Sequence, residues 1–394
     1  MTLEEIQYFK THQGRQLLRE AYELPGDDLA VITRLRKTYT PEQSRAAVRL
    51  LALRNHAKNK FSRASEMVFD REGLEQSSGE TIAAHRAKRY RKFNSIADLC
   101  CGIGGDAIAL AQNANLLAVD INPNRLAITR WNAQIYNTDI HPICADASTF
   151  IPNCDAIFFD PSRRENNRRL LSLQDYHPPV NTQHLQSVTP HIGIKVAPGL
   201  PEKDIPPDCE IEFISENGVC KEAVLYFGDL RTETSRRATL LPGNHTLIHR
   251  PTPKIPIQPP GAYIAVPDNA VIRAHLIDQI ADDLNAWKLT PDVAYLSADH
   301  PLDSPFTRSY RIIDILPYNL KRLQNYLNTQ HIGRLDIKKR HFPLTPETLR
   351  ARLKLKGDNW AVLFLTRIQT PLTVIVCDPI SPPRDQNVPH LTFI

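Results

Sequence analysis

Long apolar runs are missing from this sequence. Its 394 residues contain no run of about 18 apolar side chains, the length that a membrane-spanning helix needs. The opening residues, MTLEEIQYFK, mix charged and apolar side chains and lack the apolar segment of a secretory signal. We therefore expect a soluble protein that is neither secreted nor inserted in a membrane.

Cysteine and histidine patterns typical of disulfide frameworks or metal sites are also missing. The seven cysteines are an odd number and include no CxxC pair, which argues against a disulfide framework and a zinc cluster. Among the 14 histidines only His245 and His249 have an HxxxH spacing, and the glutamate of an HExxH site is absent. We expect a reducing, cytoplasmic environment and no bound metal.

The net charge of +5 is distributed unevenly along the chain. Residues 301–394 contain 14 Lys/Arg against 7 Asp/Glu, whereas the first 300 residues contain 34 against 36. Ten of these basic residues lie between Lys321 and Lys356, where the acids are Asp336 and Glu347. Such a surplus is typical of a surface that contacts a phosphate backbone, although an ordinary solvated face has the same composition.

One stretch of the chain predicts a nucleotide site. Residues 98–111, DLCCGIGGDAIALA, follow a short apolar run and indicate a strand, a glycine-rich loop and a helix. Glycine is needed where a ligand lies against the backbone, and the exposed N–H groups of the helix start favour polar or anionic ligand groups. Glycine-rich turns that only pack a helix on a strand have the same pattern.

Acidic residues follow four successive predicted strands. They are Asp98, Asp120, Asp146 and Asp160, and the last begins the sequence Asp160-Pro161-Ser162-Arg163. The carboxyl ends of parallel strands meet at one edge of an open α/β sheet, where ligands bind. There Asp120 is placed to accept the hydroxyls of a ribose, and Asp146 to accept a hydrogen bond from an adenine amino group. An NAD-binding Rossmann protein explains only the first two acids.

These motifs, in this order and at this spacing, resemble those of class I S-adenosylmethionine-dependent methyltransferases. More closely, SSGETIAAHRA, the glycine loop, VDINPNRLAITRWNAQIYN and the later Asp-Pro resemble the trimethylguanosine synthase-like family of RNA guanine-N2 methyltransferases, over about residues 69–164. The resemblance implies that S-adenosylmethionine is the cofactor. The residues that it implies for cofactor binding are Asp98, Cys100, Gly102, Gly104, Asp106, Asp120, Ile121, Asn122, Asp146 and Ala147.

The same resemblance places the methyl-accepting end at Asp160, Pro161, Ser162 and Arg163. An Asp-Pro turn suits an exocyclic amine, because the carboxylate and nearby carbonyls accept the amine protons and direct its lone pair. In the family an aromatic residue follows the prolines and stacks on the base, whereas this chain has Ser162-Arg163. Arg163 is able to stack on a base or hold a phosphate. Uracil-C5 methylation is disfavoured, since the next strand ends in KVAPG rather than in a nucleophilic cysteine.

The C-terminal part resembles a THUMP-like domain, most clearly in residues 333–340, GRLDIKKR. True THUMP domains bind RNA, so the resemblance implies RNA docking. The candidate RNA-binding residues are Lys321, Arg322, Arg334, Lys338, Lys339 and Arg340.

The expected fold is α/β, with a Rossmann-like class I methyltransferase sheet, an α-helical N-terminal region and a small α+β C-terminal domain. The expected boundaries are 1–66 for the helical region, 67–249 for the methyltransferase domain, 250–260 for a proline-rich linker, 261–380 for the THUMP-like domain and 381–394 for a tail.

We expect a cytoplasmic methyltransferase that modifies a nucleobase nitrogen of structured RNA, with guanine N2 as the acceptor that the resemblance suggests. Two alternatives remain open. One is methylation of a protein or small molecule, and the other is a non-catalytic RNA-binding protein that retains the cofactor fold.

Overall fold

The computed structural model describes residues 1–165, 168–170, 172–368 and 371–379. The chain divides between Asn244 and His245 into two compact units. The expected tail, 381–394, lies outside the described residues. Within the described ranges, no helix is both long enough and apolar enough to cross a bilayer.

The first unit begins with helices and continues as alternating strands and helices. Its helices are α1 (Leu3–Lys10), α2 (His12–Glu23), α3 (Asp28–Leu35), α4 (Pro41–Ala57), α5 (Arg71–Gln76), α6 (Glu80–Ala87), α7 (Gly105–Leu110), α8 (Pro123–Ile135) and α9 (Thr182–Val188). Its strands are β1 (Ser95–Leu99), β2 (Asn115–Asp120), β3 (His141–Cys144), β4 (Ala156–Phe159), β5 (Arg164–Glu165), β6 (Arg168–Arg169), β7 (Ile192–Val196), β8 (Glu210–Glu216), β9 (Val219–Tyr226) and β10 (Arg236–Leu241).

The N-terminal helices begin where the sequence predicts. Thr2 and Thr40 each form a capping box, with Glu5 and Gln43 as the respective third helical residues. These helices share one hydrophobic core with the sheet, in which Phe9 and Leu50 belong to the same cluster as Phe158. The helical region is therefore packed as part of the first unit.

The main sheet of the first unit has the strand order β10-β8-β9-β7-β4-β1-β2-β3. Strands β1, β2, β3, β4 and β7 are mutually parallel, and β9 is antiparallel to both β7 and β8. This confirms the expected α/β sheet. The sequence Glu216-Asn217-Gly218 also predicts a hairpin turn, and the antiparallel pairing of β8 and β9 confirms it. The register aligns the ends of β1, β2, β3 and β4, so that their acids lie along one edge.

The second unit is built on one mixed sheet of order β13-β14-β12-β15-β18-β17-β16. Its helices are α10 (Asn269–Arg273), α11 (Ile277–Asp283), α12 (Leu320–Thr329) and α13 (Pro346–Arg352). Its strands are β11 (His245–Ile248), β12 (Tyr263–Pro267), β13 (Trp287–Lys288), β14 (Leu296–Ala298), β15 (Thr307–Pro317), β16 (Ile332–Lys339), β17 (Asn359–Arg367) and β18 (Leu372–Cys377).

Two features of the second unit differ from the expectations. The sequence predicts one helix over residues 272–287. The structure has two short helices, α10 and α11, because His275 and Asn285 adopt positive φ angles that end helical turns. The proline-rich segment is extended, as proline dictates, but it is hydrogen-bonded to this unit. The Gln258 N–H donates to the carbonyl of Lys288, and the Lys288 N–H donates to that of Pro256. The residues expected to form a linker thus belong to the second unit.

Buried ion pairs attach the segment that contains α6 to strand β8. His85 Nε2 lies 2.9 Å from Glu212 Oε1, and Arg89 Nη2 lies 3.2 Å from Glu212 Oε2 and 2.7 Å from Glu210 Oε1. Burial opposes ionisation of Glu212, but the hydrogen bond with His85 and the charge of Arg89 outweigh it. Together they lower the pKa of Glu212 to about 2.

We expect acid to remove the stabilisation that Glu212 provides. Because its pKa is lower in the folded than in the unfolded chain, this contribution is complete above about pH 4.5 and is lost as the pH falls toward 2. Glu212→Gln should lower the free energy of unfolding at pH 7 by about 3 kcal/mol and flatten its dependence on pH in that range. Urea unfolding at a series of pH values measures both effects.

Glu42→Gln is the matched control, because Glu42 forms an exposed ion pair with Arg45. This variant should lower the free energy of unfolding by less than about 1 kcal/mol at every pH. An acid-induced loss of stability in Glu212→Gln that equals that of the original protein would contradict the prediction.

Candidate active site

The loop between β1 and α7 has the backbone conformation that its glycines allow. Gly102 and Gly104 have φ angles of +57° and +89°, and Cys100 has a φ angle of +64°. A side chain at Gly104 would meet Thr129, whereas one at Gly102 would meet no atom within 4 Å. The loop therefore leaves open space beside Gly102, on the side where a ligand is able to approach the backbone.

Two side chains of α8 hold this loop in place. Thr129 donates a hydrogen bond of 2.8 Å to the carbonyl of Gly102, and Asn132 donates one of 2.9 Å to that of Ile103. Asn132 is fully buried and also exchanges two hydrogen bonds with the backbone of Val68. The sequence does not reveal this function of Thr129 and Asn132, because polar residues within a helix pattern give no indication of their partner.

Asp98 is a buried carboxyl group at the end of β1 with an exposed fraction of 1%. Neither of its oxygens has a hydrogen-bond partner among the described residues. Burial, and to a lesser degree the charge of Asp160, raises the pKa of Asp98 well above its usual range. A buried polar group without a partner is costly, so this arrangement indicates that a ligand supplies the missing donor.

Asp120 lies at the end of β2 and connects two loops of the site. Its Oδ2 accepts the N–H of Gly102 at 3.0 Å, and its Oδ1 accepts that of Asn122 at 2.8 Å. Each carboxylate oxygen retains a second lone pair for a ligand hydroxyl. Asn122 caps α8. Ile121, which lies between Asp120 and Asn122, is 69% exposed, so its side chain is accessible for apolar contact with a ring of a ligand.

The remaining expected cofactor residues occupy three different environments. Asp146 Oδ1 accepts hydrogen bonds from the N–H and hydroxyl of Ser148, which lower the pKa of Asp146. Ala147 is buried beside it, and Cys100 is half-buried in the loop. Asp106, by contrast, forms a buried ion pair with Arg86. The structure therefore engages the Asp106 carboxylate within the protein rather than presenting it at the edge of the sheet.

Asp160, at the end of β4, is engaged by a lysine from the neighbouring strand β7. Lys195 Nζ lies 2.7 Å from Asp160 Oδ2 and 3.4 Å from Glu222 Oε2. The Lys195 side chain is 1% exposed, and that of Asp160 is 21% exposed. Asp160 Oδ1 accepts no hydrogen bond from a described residue, and it is available to a substrate.

Arg86 extends this set of charges to the glycine-loop helix. Its guanidinium is fully buried and contacts both Asp106 of α7 and Glu222 of β9. The Ser78 hydroxyl accepts a hydrogen bond of 3.3 Å from Arg86 and donates one of 3.1 Å to Glu222. Asp106, Arg86, Glu222, Lys195 and Asp160 thus form one chain of alternating charges, which we call the buried charge network.

The residues after Asp160 are fixed through the backbone. Ser162 pairs with His177 through two backbone hydrogen bonds of 2.8 and 3.0 Å. Arg163 donates a hydrogen bond of 2.9 Å to the carbonyl of Val196, and Pro161 is buried. Tyr176 is also fully buried, with its hydroxyl accepting the N–H of Ala197, so it offers no exposed ring to a base.

The six basic residues expected to bind RNA are divided between two faces of the second unit. Lys321 and Arg322 are exposed on α12, which packs on one face of the sheet. Along β16, Leu335 and Ile337 pack on that same side, so the alternation of the strand places Arg334, Lys338 and Arg340 on the opposite face. Lys339 Nζ donates to the carbonyl of Phe342 at 3.2 Å, on the side of the helices.

Three family models match parts of the chain. They are a domain of unknown function over residues 2–57, an RNA cap guanine-N2 methyltransferase domain over residues 93–170 and a THUMP domain-like family over residues 307–379. A protein of Mycobacterium tuberculosis strain CDC 1551, described as an uncharacterised S-adenosylmethionine-dependent methyltransferase, is 30% identical over 332 residues. The match covers 80% of this chain and 90% of the relative, and the equivalent protein of strain H37Rv matches equally.

This chain belongs to the S-adenosylmethionine-dependent methyltransferase family. A crystal structure from Porphyromonas gingivalis W83, assigned to the methyltransferases, shares its fold with a TM-score of 0.77 and 20% identity. That alignment covers 97% of this chain and 100% of the other. The methyltransferase therefore uses S-adenosylmethionine as its methyl donor, and the class I fold expected from the motifs is confirmed.

The residues at the sheet edge fit this cofactor. The buried oxygens of Asp98 lack a donor, the space beside Gly102 admits a ligand, and Asp120 retains lone pairs for hydroxyl groups. Carboxyl groups such as those of Asp98 and Asp120 are the kind of acceptor that the amino and hydroxyl groups of S-adenosylmethionine require.

We expect Asp98→Asn to weaken cofactor binding without destabilising the cofactor-free methyltransferase. Replacing the carboxyl acceptor by an amide should reduce the affinity for S-adenosylmethionine by about 10- to 100-fold, as measured by titration calorimetry. The unfolding temperature without cofactor should not fall, since the variant removes a buried carboxyl that has no protein partner.

Asp155→Asn provides a control with the opposite pattern. Asp155 lies just before β4, at the other end of the sheet, and its Oδ2 accepts the N–H groups of Asn94 and Ser95. This variant should lose stability and keep its affinity for S-adenosylmethionine. Unchanged cofactor affinity in Asp98→Asn would show that Asp98 does not contact the cofactor.

Proposed function

We propose that this methyltransferase modifies an exocyclic amine of a nucleobase in structured RNA, with guanine N2 as the acceptor, and that the second unit docks the RNA backbone. The observation that supports the acceptor most directly is the half-open carboxylate of Asp160, held on one oxygen by Lys195. The matches over residues 93–170 and 307–379 support RNA as the substrate.

S-adenosylmethionine supplies an electrophilic methyl group when it is bound. The protein must then mainly hold the acceptor nitrogen in line with the bond that breaks. Lys195 fixes Asp160 through Oδ2, so that Oδ1 is free to accept an amine proton and direct the nitrogen lone pair. As the nitrogen becomes positively charged, its N–H groups become stronger donors, and the contact with Asp160 strengthens.

Arg163 is proposed to take the place of the aromatic residue that stacks on the base in the family. Its hydrogen bond to the Val196 carbonyl holds the guanidinium beside the turn, and the buried ring of Tyr176 cannot perform this function. A guanidinium plane stacks on nucleobases and also binds phosphate. The Pro161 ring restricts the backbone between Asp160 and Ser162, which limits the directions in which the acceptor is held.

Transfer of labelled methyl from S-adenosylmethionine to total RNA tests the function directly. The RNA should come from a strain that lacks this methyltransferase, because its target sites are then unmodified. We expect a single labelled N2-methylguanosine after nucleoside mass spectrometry. Label in protein or small molecules alone would replace RNA as the substrate, and no label anywhere despite cofactor binding would indicate a non-catalytic RNA-binding protein.

Asp160→Asn should separate transfer from cofactor binding. It replaces the acceptor carboxylate by an amide, and methyl transfer should fall about 100-fold or more. The affinity for S-adenosylmethionine should change little in the same titration. Asp155→Asn is the control, because it makes the same change of aspartate to asparagine at the other end of β4. It should retain its rate of methyl transfer at a temperature where the variant is folded. Full transfer activity in Asp160→Asn would contradict the assignment of Asp160.

A further inference from the structure

The face of the second unit that carries no α12 or α13 contains three cations held close together. Lys338 and Arg340 come from the edge strand β16 and its end, and Arg308 comes from β15. We call Arg308, Lys338 and Arg340 the cationic face. Arg308 lies outside the basic stretch of the sequence, and only the sheet brings it next to the other two.

Two buried tyrosines hold the cationic face in position. Lys338 Nζ lies 5.7 Å from the centre of the Tyr310 ring, and the Arg340 guanidinium lies 5.4 Å from that of Tyr295. Both rings pack edge-on against Phe364 with centroid distances of 5.2 Å. Burial raises the pKa values of Tyr310 and Tyr295, and the nearby charges of Arg308 and Arg340 oppose that rise. Lys338 and Arg340 therefore lie against rings that the core of the unit holds in place.

Within the described residues, Asp336 opposes the positive charge of this cluster without forming an ion pair with it. Among the described residues, no carboxylate forms an ion pair with Arg308, Lys338 or Arg340. Burial and the charges of the two arginines lower the pKa of Lys338, and Asp336 opposes them. Burial also raises the pKa of Tyr295 to about 12, so its hydroxyl carries no negative charge at neutral pH. An anion would relieve the mutual repulsion of the three cations.

The arrangement favours phosphate over a nucleobase. Tyr295 and Tyr310 are 1% and 5% exposed, so neither ring is accessible for stacking on a base. The accessible groups are guanidinium and ammonium donors, which bind phosphate oxygens regardless of sequence.

We infer that the cationic face is the surface on which the second unit binds the phosphodiester backbone of RNA, independently of base sequence. This inference rests on the proposed RNA substrate and selects one face of the unit. Lys321 and Arg322 lie on the helical side, and neither is held over an aromatic ring within the described part of the chain.

Fluorescence anisotropy of the full chain with a labelled RNA hairpin tests this inference. The titration is repeated between about 50 and 200 mM salt, because each phosphate contact adds about 0.7 to 0.9 to the slope of log affinity against log salt. Arg308→Gln with Arg340→Gln should reduce that slope by about 1.5 and weaken binding at least 10-fold at low salt.

Lys321→Gln with Arg322→Gln is the matched control, since it removes the same charge from the helical side. The affinity of this variant for RNA and its slope of log affinity against log salt should both stay within about 2-fold of the values for the original protein. Asp336→Asn should tighten binding, because it removes a carboxylate near Lys338. Circular dichroism and an unchanged affinity for S-adenosylmethionine establish that the variants are folded.

A loss of slope in the helical-side variant but not in the cationic-face variant would overturn the inference and leave RNA docking in place. A second hairpin with a different sequence should bind with equal affinity. A large preference for one hairpin sequence that Arg340→Gln abolishes would also overturn the inference. Failure of methyl transfer to any RNA, with the predicted loss of hairpin binding, would reject the proposed substrate and retain the cationic face. The two proposals therefore fail in distinguishable ways.

Discussion

The guanidinium of Arg86 is fully buried, and the candidate active site depends on how its charge is balanced. It contacts Asp106 in the glycine-loop helix and Glu222 in β9, and Glu222 contacts Lys195, which holds Asp160. A buried charge that loses its partner costs about 3 to 5 kcal/mol, so each member of the network constrains its neighbours. The position of the cofactor loop and that of the acceptor carboxylate are thereby connected through one set of ion pairs.

The buried charge network contains three carboxylates and two cations. Asp106, Glu222 and Asp160 are opposed by Arg86 and Lys195, which leaves one negative charge in excess. Asp98 lies within the field of Asp160 and has no donor of its own. S-adenosylmethionine carries a sulfonium and an amino group, and the buried carboxyl of Asp98, which lacks a partner among the described residues, is an acceptor of the kind that this cofactor requires.

Local patterns in the sequence predict the parts of this structure that depend on near neighbours. The capping boxes of Thr2 and Thr40, the glycine loop and the acids at the ends of the strands each involve residues a few positions apart. The buried charge network is different, because Arg86 and Glu222 are far apart in the chain and meet only when β9 is in place. An indication was nevertheless present: Lys195 interrupts the apolar strand β7, and a lysine in a buried strand requires a partner.

The distribution of charge along the sequence does not show which basic residues share a face of the second unit, because that also depends on residues far apart in the chain. Strand alternation separates Lys338 from Lys321, and β15 adds Arg308 from outside the basic stretch. Contacts to phosphate are alike in the ground state and the transition state, so they lower KM without raising kcat. Asp160, in contrast, is proposed to contact a nitrogen whose charge grows during transfer. Under the proposed function, the chemical rate and the choice of acceptor would therefore depend on the charge network of the first unit, whereas the second unit would determine how tightly the RNA is held.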